Sequence, residues 1–164
     1  MSADANVSRN TFKEVVIDTQ IWMGKNYDFG GSYPGDDEDN VTDYGRLYTW
    51  AEAKLIDFPG WHLPTQVELD ALQTYLTATG GGHLKEVGTT HWTTPNTGAD
   101  NTTGFSAVGA GSNETYLNQI ADFWSSTEAD AVNAYYMALT YNANTLAVSN
   151  TAKTSRKSVR LIKN

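Results

Sequence analysis

The 164-residue sequence contains no cysteine. Disulfides, thiolate metal ligands and a thiol nucleophile are therefore excluded. The cellular compartment remains open, because secreted proteins need not contain disulfides.

Positive charge is also scarce. The chain has 11 Lys and Arg residues against 19 Asp and Glu residues, a net charge of −8 at pH 7. Nucleic-acid backbones and anionic membrane surfaces would repel such a chain, so we expect no nucleic-acid partner. Long apolar runs are absent, and the N-terminal residues lack the basic and apolar regions of a secretory signal. We therefore expect no membrane insertion and no signal peptide in this chain.

Aromatic and small polar residues are plentiful instead. The chain has 9 Tyr and 5 Trp residues, and Gly, Asn, Thr and Ser fill much of the remainder. This mixture is typical of loop-rich binding surfaces. The length suits one domain with a substantial core.

Two helices are predicted in the first half of the chain. Each begins at a capping box, in which a Thr hydroxyl bonds a backbone amide and a Glu reaches back. The first box pairs Thr49 with Glu52, and that helix should stop near Ile56, before a Pro-Gly pair. The second box pairs Thr65 with Glu68, and the glycines at 80–82 should end that helix. Its apolar stripe comprises Val67, Leu69, Leu72, Tyr75 and Leu76.

Strand signals lie at the two ends of the chain. Residues 14–23 resemble two strands joined by a tight turn at Asp18 and Thr19. In the second half, 123–127 has an aromatic strand signal, and 134–141 and 145–149 alternate with period two. This order predicts an α+β domain with two helices and an antiparallel sheet built mainly from the second half.

The segment 134–141 has two distinct faces. Side chains alternate across a strand, so every second residue shares a face. The better core face comprises Tyr135, Met137, Leu139 and Tyr141. The opposite set is small and polar around one tyrosine, and we expect it to face solvent. It comprises Ala134, Tyr136, Ala138 and Thr140.

Six short blocks resemble, in order, the Fibrobacter succinogenes major paralogous domain. They are QIWM at 20–23, YGRLYTW at 44–50, GWHLPT at 60–65, GFSA at 104–107, FWSSTE at 123–128 and SVR at 158–160. The similarity covers residue 12 to the end, so we expect an N-terminal extension at 1–11 and one domain at 12–164. Family members often carry cysteines near the acidic loop, whereas this chain has none. They also carry Gly-Phe where this chain has Arg156 and Lys157, which suggests an altered surface.

The resemblance implies a C-type-lectin-like fold of the formylglycine-generating-enzyme branch, with the first and last strands paired. Some proteins of this kind are variable proteins of diversity-generating retroelements. They are displayed on virions or cells, where they bind changing ligands. The resemblance therefore implies surface display and a protein or glycan partner.

Such retroelements randomise adenines, chiefly in asparagine codons, so the third base remains a pyrimidine. These positions can never become Trp, Met, Lys, Gln or Glu. The outward set of 134–140 contains only residues that a randomised asparagine codon can encode. The inward set includes Met137, which such a codon cannot encode. Small polar residues populate any exposed strand, so this agreement supports diversification without requiring it.

We predict that ligands contact the C-terminal sheet face and its loops, because binding residues often sit on loops of a rigid scaffold. The expected contact residues are Tyr116, Asn118, Asp130, Asn133, Tyr136, Ala138, Thr140, Asn142, Ala147, Ser149 and Thr151.

Metal sites are not predicted. The run Asp36, Asp37, Glu38, Asp39, with Asp43, is rich in oxygen ligands for calcium but lacks the spacing of a calcium loop. His83 and His91 show no helical pairing or third ligand, and His62 is expected to be a hydrogen-bonded structural residue.

The aromatic blocks also predict the core. Trp22, Trp50, Trp61 and Trp124 lie within the six blocks and are expected in the core, whereas Trp92 is expected to be partly exposed.

Two other function classes remain open. One is a structural surface or adhesin domain without a diversified site, and the other is an enzyme that uses carboxylates or histidines. If the protein is an enzyme, we expect an acid/base pair in one pocket. If it is a binding module, we expect a flat polar and aromatic patch. Formylglycine generation requires cysteines and is excluded. We predict a binding module without enzymatic activity or cofactors.

Overall fold

The computed structural model describes residues 12–77 and 79–164. The predicted N-terminal extension, 1–11, lies outside the described residues. Within these ranges the strands are β1 (Glu14–Ile17), β2 (Gln20–Met23), β3 (Trp61–His62), β4 (Ile120–Glu128), β5 (Asn133–Thr140), β6 (Ala147–Ala152) and β7 (Ile162–Lys163). The α-helices are α1 (Val41–Tyr44), α2 (Trp50–Lys54) and α3 (Gln66–Leu76), with 3-10 turns at Pro34–Asp36, Glu38–Asn40 and Gly81–Leu84.

The strands form two antiparallel sheets, which confirms the α+β class. The first has the order β1-β2-β7-β3 and the second the order β4-β5-β6. The predicted pairing of the first and last strands is wrong: Trp22 of β2 pairs with Ile162 of β7. Asp18 adopts a positive φ of 53°, which turns the chain so that β2 lies between the two terminal strands.

The two predicted capping boxes are confirmed. In α2, the Glu52 carboxylate accepts from the Thr49 amide at 2.7 Å, and Thr65 and Glu68 repeat the arrangement at α3. The buried stripe of α3 is narrower than predicted. Leu69, Leu72 and Leu76 are buried, whereas Val67 and Tyr75 are exposed.

The second sheet lies between two apolar clusters at one end. On one face, Phe123 and Met137 pack into the larger cluster with Trp22. On the other face, Trp124 and Ala134 join a cluster that also holds Met23, Tyr48, Ala53, Leu63, Val159 and Leu161. The sheet is therefore covered on both sides where β4 and β5 begin their hairpin.

Tryptophan burial differs from the prediction at three positions. Trp22 and Trp124 are buried as expected, but Trp50 and Trp61 are only half-buried. Trp92, expected to be partly exposed, is buried, and its indole donates to the Ala107 carbonyl at 2.9 Å. A Gly- and Thr-rich loop resembles exposed chain in sequence, yet this side chain attaches it to the core.

Candidate ligand-binding face

Two adjacent strands bring most of the predicted contact residues onto one surface. Tyr136 lies opposite Ser149, and Ala138 lies opposite Ala147, so these four side chains share a face. Strand alternation adds Thr140 to the same face, and the pairing of Ala134 with Thr151 adds Thr151. We call this surface the β5–β6 face: Tyr136, Ala138, Thr140, Ala147, Ser149 and Thr151.

The exposure of this surface is graded. Ala147 and Ser149 are exposed, whereas Tyr136, Ala138 and Thr140 are half-buried. Ala134 was expected to face solvent, and that prediction is wrong because its side chain is 0% exposed. It packs in the cluster of Trp124 and Val159, which covers this end of the sheet. The accessible face therefore begins at Tyr136.

A buried ion pair lies against the Tyr136 ring, on the same face of the sheet. The Lys157 ammonium is 2.6 Å from a carboxylate oxygen of Asp122, 3.3 Å from the Ser112 hydroxyl, and 3.9 Å from the centroid of the Tyr136 ring. Trp124 contacts the same ring edge to face, with centroids 6.3 Å apart. Burial raises the pKa of the Tyr136 phenol, with a smaller contribution from the Asp122 charge. At neutral pH the ring is a neutral aromatic surface over a desolvated cation.

Asp130 and Asn133 lie at the β4–β5 turn and bond to each other. One Asp130 carboxylate oxygen accepts from the amides of Val132 and Asn133 at 2.8 Å, and the other accepts from the Asn133 side chain at 2.8 Å. The Asn133 side chain contributes most to lowering the pKa of Asp130, and the two amides add to it. These two predicted contact residues therefore form the internal hydrogen bonds of the turn.

The connection between β5 and β6 is attached to the rest of the domain. It carries Asn142, which is exposed. The buried Lys85 ammonium donates to the carbonyls of Thr97 at 2.8 Å, Thr140 at 3.0 Å and Ala143 at 3.0 Å. Burial lowers the pKa of Lys85 to about 8. These three hydrogen bonds from the Lys85 side chain to backbone carbonyls give the end of the β5–β6 face a rigid support.

Tyr116 and Asn118 differ in accessibility. Both have positive φ angles, 58° and 64°, in the loop before β4. Tyr116 is exposed, but the Asn118 side chain accepts a 2.5 Å hydrogen bond from the Tyr44 hydroxyl. The Asn118 backbone also bonds Thr93 and Gly109. Asn118 therefore holds three segments together, and Tyr116 is the accessible member of the pair.

Histidine contacts bear on the metal and enzyme alternatives. The ring nitrogens of His62 lie 2.7 Å from Asn164 and 2.9 Å from Glu68, which confirms that this residue is hydrogen-bonded. His83 bonds Asp100, and His91 bonds Glu86. Within 12–77 and 79–164, no group of three or more His, Asp or Glu residues is arranged to hold a metal ion.

Among the described residues, four buried charges escaped prediction from sequence. Asp122, Lys157, Lys85 and Arg160 are all less than 6% exposed. The expectation that the basic pair at 156–157 alters the surface is wrong for Lys157, which is 3% exposed. A signal existed for Asp122, which interrupts an apolar strand between Ala121 and Phe123. No comparable local signal marks the two lysines.

Comparison with known proteins gives one match. The profile of the Fibrobacter succinogenes major domain family matches residues 15–163, which confirms the resemblance. No curated protein and no solved structure matches the chain. Among the described residues, no helix has the length and apolar character needed to cross a membrane.

Proposed function

Since the chain belongs to the Fibrobacter succinogenes major domain family, we propose that it is a non-enzymatic binding module whose ligand contacts the β5–β6 face. The observation that carries the proposal is the arrangement around Tyr136. One aromatic ring stands among small side chains in register, Ser149 opposite it and the Ala138–Ala147 pair beside it. Tyrosine supplies a large contact area at low entropic cost, and small polar neighbours supply adaptable hydrogen bonds.

The support beneath the face agrees with this role. Met137 and Leu139 alternate with the face residues and are buried in the larger cluster. Lys85 fixes the connection that follows β5. A rigid scaffold that carries changeable surface residues is the usual design of a recognition site.

We extend the proposal to the origin and partner of the site. The domain has a C-type-lectin-like fold, is displayed on a virion or cell surface, and binds a protein or glycan on a target surface. A retroelement diversifies the face residues. The net charge of −8 argues against nucleic acid as the ligand. Asn142 and Tyr116, both exposed, extend the contact area at one end.

Sequencing the 3′ end of the gene across its source population tests diversification. We expect variation confined to asparagine-type codons between 116 and 151, with a template copy nearby. Codons of the buried alternate residues, such as Met137 and Leu139, should be constant and serve as internal controls. A constant 3′ end without a template copy would contradict a diversified site.

A further inference from the structure

We infer that Tyr136 is an aromatic anchor, a position where the ring must be kept, and that ligand specificity lies in the smaller residues around it. Those residues, which we call the rim, are Ala138, Thr140, Ala147, Ser149 and Thr151. The inference rests on the proposed function and divides its site into a constant and a changeable part.

The ring of Tyr136 completes the contacts of a buried ammonium. An ammonium has three N–H donors. Lys157 has Asp122 at 2.6 Å and Ser112 at 3.3 Å as hydrogen-bond partners. The aromatic ring, at 3.9 Å, is a third partner. A desolvated cation over a ring is a stronger contact than a solvated one.

Lys157 has little freedom to move away from the ring. Its backbone amide donates to the Tyr48 carbonyl at 3.0 Å, and its carbonyl accepts from the Tyr48 amide at 2.8 Å. Its side chain is bounded by Asp122, which is 5% exposed. A small residue at 136 would leave the cation and its carboxylate beneath a gap. The loss is costly because the cation–π contact with Lys157 and the packing of the ring against Trp124 disappear together.

The rim side chains do not serve to cover the Lys157 ammonium. Their side chains are small, and each of them is exposed or half-buried in the structure. The Ser149 side chain does bond the Tyr136 phenol, which orients the hydroxyl rather than supporting the core. Substitutions at the rim therefore change what the face presents without uncovering a buried charge.

Thermal unfolding tests the anchor without a ligand. We expect Tyr136→Ala to lower Tm by roughly 6–12 °C, and Tyr136→Phe, which keeps the ring, by less than about 3 °C. The matched control is Tyr75→Ala, at a tyrosine that is 54% exposed, with an expected change below about 3 °C. An equal loss for Tyr136→Ala and Tyr75→Ala would overturn the anchor.

A double-mutant cycle distinguishes support by Lys157 from general packing. The cycle compares Tyr136→Leu, the joint replacement of Lys157→Met with Asp122→Asn, and the combination of all three, so that no arm leaves a buried charge unpaired. We expect the Tm loss from Tyr136→Leu to fall by about half once Lys157 is Met. Additive losses would show that the ring does not act through Lys157 and would overturn that part of the inference.

Population sequencing separates this inference from the proposed function. An aromatic residue kept at 136 while rim codons vary supports both. Free variation at 136 alongside the rim overturns the anchor and leaves the diversified face in place. A constant 3′ end overturns diversification, and the comparison of Tyr136→Ala with Tyr75→Ala then decides the anchor.

Discussion

The Lys85 ammonium donates a 3.0 Å hydrogen bond to the carbonyl of Ala143, 58 residues further along the chain. With its bonds to Thr97 and Thr140, it joins the loop before β4 to the connection that follows β5. A cation held by three carbonyls is fully bonded, but within residues 12–77 and 79–164 no ion pair offsets the cost of its burial. This residue links the stability of the domain to the shape of the proposed site.

Replacing Lys85 with Met should lower the free energy of unfolding by roughly 2–4 kcal/mol, because three carbonyls lose their buried donor. Urea denaturation measures the loss. Lys163→Met is the matched control, since Lys163 pairs with Glu14 at the surface. Its loss should stay below about 1 kcal/mol. Equal losses for the two variants would contradict a structural role for the carbonyl contacts.

Lys85 should also make the free energy of unfolding depend on pH in the alkaline range. Its folded pKa of about 8 lies below the ordinary value of 10.5. Between these values the unfolded chain binds the proton and the folded chain does not, so stability rises with pH. From pH 8 to 9.5 the free energy of unfolding should rise by about 1–2 kcal/mol relative to Lys85→Met. Parallel curves for the two proteins would show that the folded pKa is not lowered.

The β5–β6 face should tolerate substitution far better than the alternate residues of β5. Ser149→Asn and Ala147→Ser should each change the free energy of unfolding by about 0.5 kcal/mol or less, because both sites are exposed. Met137→Ala removes a buried side chain and should cost roughly 2–5 kcal/mol. Chemical denaturation of the three variants measures the contrast. Similar losses on both faces would argue against a changeable surface.

Asp130 should titrate below an ordinary aspartate, mainly because the Asn133 side chain donates to it. Because its pKa is lowered in the folded state, Asp130 stabilises the fold at pH values above the ordinary pKa of an aspartate. This stabilisation is lost as the pH falls through the pKa of the folded state. Asn133→Ala should raise the pKa of Asp130, which carboxyl NMR titration measures. Asn150→Ala, at an exposed position on β6, is the control. An unchanged pKa in Asn133→Ala would contradict the side-chain hydrogen bond from Asn133 to Asp130.

The elements that were predictable depend on neighbours in sequence. The capping boxes at Thr49 and Thr65 need only residues three apart. The inward and outward alternation around Met137 follows from strand geometry. Both signals are local, so they can be recognised in the sequence without knowledge of the rest of the fold.

The features that were not predictable depend on distant contacts. Ala134 alternates as an outward residue, but Trp124 and the segment at 159–161 cover it. Lys157 resembles a surface lysine until Asp122, 35 residues earlier, is placed beside it. The insertion of β2 between β1 and β7 likewise depends on which edges meet. Sequence pattern gives the direction of a side chain and does not identify what lies above it.

The pairing of β2 with β7 has a consequence for synthesis of the protein. Trp22 meets Ile162, so the first sheet is completed only by residues made at the very end of this sequence. The Arg160 guanidinium, 2.6 Å from the Asn26 side chain, adds a second contact of similar sequence separation. Contacts of such sequence separation form after the intervening chain has been translated. A reading-frame error between 116 and 151 therefore removes β7, and only products that carry β7 in frame complete the first sheet.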